Sequence, residues 1–200
     1  MVELLADKIT SKFIENNIIN SNDRDIYCYC FETTIVSFIS ICILMLLSIL
    51  FNELYCSMIF LIAFSFFRKI CGGYHADNYI KCSIMSLLSY ITMVVVLKKI
   101  NILFKYNIYL LIIGLIIILF LSPIQDDNKP FTKNQNRRFK ILSKSIATIL
   151  LIIFIVLKAC KIYDVFINQY FFAFVYGIDL VAYSLLKSKF ERSILYEKNQ

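Results

Sequence analysis

Apolar runs broken by short polar segments recur along the whole chain, far more of them than an ordinary soluble domain carries. They are Thr33 to Phe51, Leu54 to Phe67, Ser83 to Leu97 with Tyr79 and Ile80 before it, Ile108 to Leu121 with Ser122, Ile146 to Leu157 with its flanks, and Val165 to Leu186. In lipid every backbone N–H and C=O needs a partner inside the protein, so such runs have to be helices. The sequence therefore predicts an all-α, polytopic integral membrane protein of about six transmembrane helices. Leu54 to Phe67 is the weakest span. Its 14 residues make about 21 Å of helix against a hydrocarbon core of about 30 Å, so it crosses only if Arg68 and Lys69 snorkel and the bilayer thins.

The rest of the composition fits one membrane-embedded domain over residues 1–200. Of 200 residues 60% are hydrophobic and the mean hydropathy is +0.72, while 4 Gly and 2 Pro leave little material for linkers. Residues 1–32 form an amino-terminal segment, 33–186 hold the spans and 187–200 form a tail. The first segment carries five acidic side chains before Glu32, three basic ones and no early apolar core, so it is not a signal peptide. Val2, Leu5, Ala6, Ile9 and Phe13 share one helical stripe, which predicts an amphipathic helix lying on the membrane surface or packing on other protein.

The net charge of +7 is spread over short loops and not gathered into one stripe, so nucleic acid is not the expected partner. With six spans, sixteen of the Lys and Arg residues share the side of the two termini and five lie opposite. Without Leu54–Phe67 as a span the division is thirteen to eight. The positive-inside rule thus predicts both termini in the cytoplasm and a multi-pass protein of the cell membrane. Seven cysteines, several inside apolar runs, do not form a secreted disulfide framework, and reduced thiols are expected. Cys28-Tyr29-Cys30 lacks the partners for a metal site, so neither a metal nor a cofactor is expected.

Polar chemistry concentrates in Arg68-Lys69-Ile70-Cys71-Gly72-Gly73-Tyr74-His75-Ala76-Asp77-Asn78-Tyr79-Ile80-Lys81-Cys82, which holds the single histidine of the chain. A plain interhelical loop explains the charges and glycines. A Cys–His pair explains more, because an imidazole that takes the thiol proton leaves a thiolate able to attack a carbonyl. On one straight helix, residues seven apart share a face but stand about 10 Å apart along the axis, too far for a hydrogen bond. The pair therefore requires a bend, which Gly72-Gly73 permits, and a helix that starts after His75 with Asp77 or Asn78 as its cap.

Arg68, Gly73, His75, Ala76 and Cys82, followed by Pro123 and then Asn128-Lys129-Pro130 in the later basic loop, resemble the motifs of the accessory gene regulator B (AgrB) family. The two elements occur in the family's order, and length and hydropathy agree over essentially the whole chain. These proteins are multi-pass membrane cysteine endopeptidases that process the precursor of a cyclic autoinducer peptide in quorum sensing. The resemblance implies Cys82 as nucleophile, His75 as base and then acid, and Arg68 and Gly73 as support. It implies an AgrD-like autoinducer propeptide as substrate, with an acyl-enzyme resolved to a thiolactone or lactone. Asn128, Lys129 and Pro130 are substrate-binding candidates. The 122–144 stretch reads as the longest polar loop, suited to an acidic peptide segment. The pair can be completed within one chain or across a homodimer.

A second class of function remains beside this one: a non-enzymatic membrane transporter or peptide-export component. In that reading Gln169 and Asp179 of the sixth run line a path, with Asn168 nearby, and Asp179 lies too deep to snorkel. An interhelical hydrogen bond or a place near a headgroup is the plainer role for Asp179.

Overall fold

The computed structural model describes residues 2–73, 79–99, 105–124, 132–160 and 168–198. Among the described residues seven α-helices run in chain order: α1 Val2–Glu15, α2 Arg24–Leu50, α3 Leu54–Cys71, α4 Tyr79–Lys99, α5 Asn107–Leu121, α6 Lys133–Ala159 and α7 Gln169–Lys198. Among the described residues there is no strand, and the chain is an all-α, multi-pass membrane protein. By length and composition α2, α3, α6 and α7 can each cross a membrane, while α5 is apolar but shorter at 15 residues. Large apolar side chains point outward, among them Leu50, Ile62 and Phe120, as lipid-facing positions require.

Three helices extend beyond the apolar runs, each for a physical reason. The run Leu54–Phe67 continues through Arg68 and Lys69 to Cys71, giving 18 residues or about 27 Å of helix, so the shortfall read from the sequence disappears. The guanidinium of Arg68 is held by protein atoms, described below. Residues 133–144, expected as loop, form the first turns of α6. Thr132 closes a capping box there: its hydroxyl accepts from the Gln135 N–H at 3.3 Å, and the Gln135 side chain accepts from the Thr132 N–H at 3.1 Å. Residues 187–198, expected as a tail, continue α7, with Lys187 and Glu191 one turn apart at 3.9 Å.

The helices group into two compact units, Met1–Asn52 with Ala76–Tyr90, and Glu53–His75 with Ile91–Gln200. In the first, α1 packs on the start of α2. Ala6 and Thr10 are buried, the Phe13 and Phe31 rings lie 5.4 Å apart, and Arg24 meets Asp7 at 2.7 Å. Both charges are half exposed, so the pair contributes no more than about 1 kcal/mol. The apolar stripe therefore rests on protein, except for Leu5, which is exposed. Farther along α2, the Ser40 hydroxyl donates to the Val36 carbonyl at 2.8 Å and lies 2.7 Å from the Ser83 hydroxyl of α4, which is then the donor of that second bond.

The second unit is built around α7, which packs on α3 and α5, while α6 closes on α5. Phe67 of α3, Leu111, Leu115 and Ile118 of α5, Ala147 and Phe154 of α6, and Val175, Ile178, Val181, Ala182 and Leu185 of α7 form its core. Their three- and four-residue spacings place each set on one helical face. Apolar burial drives little association in lipid, so close backbone approach matters more. At Gly177 an added Cβ would fall 3.1 Å from the Phe60 carbonyl oxygen and from the Ala63 Cβ, which is how closely α7 lies on α3.

Candidate active site

The end of α3 sets the geometry. The Gly72 N–H still donates to the Arg68 carbonyl at 3.1 Å, but φ is +71° at Gly72 and +115° at Gly73, so the helix cannot continue. Only glycine adopts such angles without steric cost. The chain then pairs with residues 122–124: Gly73 N–H donates to the Ile124 carbonyl at 3.2 Å, and Ile124 N–H donates to the Cys71 carbonyl at 3.1 Å. These bonds make an isolated parallel bridge between Gly72 and Ile124. A Cβ at Gly72 would run into the Ile124 carbonyl oxygen. The peptide between Ser122 and Pro123 is cis.

Arg68 fastens this turn to α7. Its Nη1 donates to the Ser184 hydroxyl at 2.6 Å and to the Gly72 carbonyl at 3.2 Å. The Ser184 hydroxyl hydrogen goes to the Val181 carbonyl at 2.8 Å, leaving the Ser184 lone pairs for the guanidinium. A partly buried guanidinium at the end of a membrane helix is costly unless its N–H groups are answered, and here two of the answers are a helix-end carbonyl and a serine. A Cβ at Gly73 would lie 2.5 Å from Ser184 Oγ and 2.6 Å from Arg68 Nη1, within the bond it would have to avoid.

The bend expected at Gly72-Gly73 is present, and the next helix starts at Tyr79, after His75 as expected. Arg68 and Gly73 are brought together, and Ile124, the residue after Pro123 of the second motif, pairs with the first. Cys82 is in the first turn of α4, next to Ser83. The side chain of Cys82 lies outside the described residues, as do His75 and the capping candidates Asp77 and Asn78. So do Asn128, Lys129 and Pro130. Ser184 was missed in the sequence, where nothing distinguishes it from other serines. The α6 start was missed too, although Thr132-Lys133-Asn134-Gln135 carries the capping-box pattern.

The polar residues of the last run have separate places. Asn168 caps α7, its side-chain oxygen accepting from the Phe171 N–H at 2.7 Å. Asp179 sits between α7 and α5, where its Oδ1 faces Gly114, has no hydrogen-bond partner among the described residues and leaves no room for a Cβ at that glycine. The interhelical hydrogen bond expected of Asp179 is thus not formed by that oxygen.

Comparison with known proteins follows the same lines. The sequence pattern described as accessory gene regulator B matches residues 6–185. A putative AgrB-like protein 2 of Clostridium perfringens (strain 13 / Type A) is 29% identical over 160 residues, covering 76% of this chain and 72% of the relative. A putative AgrB-like protein of Clostridium perfringens (strain SM101 / Type A) is 28% identical over 161 residues, covering 76% and 75%. No solved structure matches. With a match that runs through both polar stretches and all but the ends of the helical framework, the chain belongs to the accessory gene regulator B family.

Proposed function

We propose that this chain is a membrane-embedded cysteine endopeptidase that cleaves a quorum-sensing autoinducer propeptide and helps to cyclise it. The observation that carries the reading is membership of a family concerned with autoinducer processing, through a match over residues 6–185. The Arg68 and Gly73 contacts support it, since they give the motif residues that flank His75 a physical task.

His75 takes the proton of the Cys82 thiol, and the thiolate attacks the peptide carbonyl. The tetrahedral intermediate collapses, the C–N bond breaks, and the imidazolium returns its proton to the leaving amine. An acyl-thioester remains on Cys82. A thiol or hydroxyl of the bound peptide then loses its proton to His75 and attacks that thioester, forming the lactone or thiolactone and releasing Cys82. Thioester exchange is nearly balanced, whereas making a thioester from an amide is uphill, so removal of product draws the sequence forward. Lys129 with Asn128 and Pro130, extended by the exposed Arg137, Arg138 and Lys140 on the first turns of α6, receives the acidic part of the substrate.

Two measurements test this. At neutral pH Cys82 should be alkylated by iodoacetamide at least tenfold faster than the exposed Cys160, because an imidazole-paired thiol holds more thiolate; equal rates would remove the dyad. Orientation is read separately. Six spans with cytoplasmic termini require a reporter fused after Leu97 to lie outside the cell and one fused after Lys133 to lie inside. The reverse pattern would put the site on the wrong face for a cytosolic peptide.

A further inference from the structure

We infer that Ser184 is a positioning residue for the catalytic pair, acting through Arg68 on the turn that delivers His75. The inference rests on the endopeptidase reading. Three observations carry it, and none depends on the family. The first is the contact: Arg68 Nη1 to Ser184 Oγ at 2.6 Å is much shorter than the 3.2 Å from the same nitrogen to the Gly72 carbonyl. The serine, not the turn, is the firmer end of this clamp.

The second is polarity. Ser184 has one hydroxyl hydrogen, and it is spent on the Val181 carbonyl at 2.8 Å. The oxygen is thereby fixed as an acceptor aimed at Arg68, and its bond to a cation is charge-assisted. A hydroxyl free to rotate would hold the guanidinium less firmly.

The third is space. A Cβ at Gly73 would stand only 2.5 Å from Ser184 Oγ and 2.6 Å from Arg68 Nη1, so the backbone two residues before His75 lies directly against this bond. The clamp therefore fixes both ends of the turn: the Gly72 carbonyl by a hydrogen bond and Gly73 by contact. Loss of the serine oxygen leaves Arg68 with one fewer acceptor in a place where it cannot easily find water. The guanidinium then reorients, the Gly72 carbonyl loses its donor, and the chain leaving α3 is no longer held in one direction.

The test needs no substrate. Full-length protein in membranes is treated with iodoacetamide, and the rates at Cys82 and at Cys160 are followed by mass spectrometry. Ser184→Ala should slow Cys82 alkylation about tenfold at pH 7 while leaving Cys160 unchanged, and the wild-type and variant rates should converge near pH 10, where thiols ionise unaided. Ser184→Thr keeps the oxygen and should restore most of the rate at pH 7. A merely structural serine would change accessibility at both pH values alike. Wild-type reactivity in Ser184→Ala, or an equal loss at both pH values, overturns the inference while leaving the endopeptidase reading intact. A wild-type Cys82 no faster than Cys160 instead overturns that reading itself.

Discussion

Replacing Cys82 with alanine or serine should abolish propeptide cleavage while the protein still inserts in the membrane. The substrate for the measurement is a synthetic peptide with an amphipathic start, an internal cysteine and an acidic tail, and the readout is the cleaved product by mass spectrometry. Alanine removes the nucleophile. Serine replaces a thiol with a hydroxyl that a lone imidazole ionises far less readily, so both variants should lose on the order of a thousandfold or more. Of the other six cysteines, each replaced by alanine in turn, all should retain substantial activity. Cys71 is the most informative of these: it is fully buried at the turn, but what it gives the bridge is its carbonyl, which alanine also has. Full processing by Cys82→Ala would end the cysteine-protease assignment.

Gly73→Val should abolish cleavage about as thoroughly as His75→Ala, again without loss of insertion. Two effects act together. A β-branched residue at φ +115° is strained by about 1–3 kcal/mol. Its Cβ also enters the space between Ser184 Oγ and Arg68 Nη1, so a charge-assisted bond worth about 1.5–3 kcal/mol has to break or the turn has to move. Either response displaces the chain two residues before His75, and a misplacement of about 1 Å can cost about a hundredfold in rate. Gly73→Ala should fall between wild type and valine, since it brings the Cβ without the branches. A fully active Gly73→Val protein would falsify the dependence of activity on this turn.

The features readable in the sequence were those that rest on solvent or on backbone freedom. Apolar runs gave the helices because lipid offers the backbone no other partner, and Gly72-Gly73 gave the bend because two adjacent glycines in a polar stretch have few other uses. What stayed hidden rests on tertiary partners. Arg68 and Lys69 read as headgroup charges that end a short span, yet the helix runs on to Cys71 because Arg68 finds acceptors inside the protein. Ser184 is 116 residues from Arg68 in the chain, and no periodicity marks a serine that accepts from a distant arginine. The start of α6 was hidden differently: its capping box is local and legible, but in a basic stretch between two apolar runs the same residues suit a solvated loop equally well.

The bridge at Gly72 and the clamp at Arg68 join three stretches that are remote in sequence: 68–73, 122–124 and 181–184. An inherited change in one of them is tolerated only if the other two accommodate it, so they form one unit of variation. Exchanging residues 68–82 with those of a relative 28–29% identical would set a foreign turn against residues 122–124 and 181–184 of this chain. Grafting this turn from one family member onto another is therefore a three-segment transplant, however compact the motif looks in the sequence.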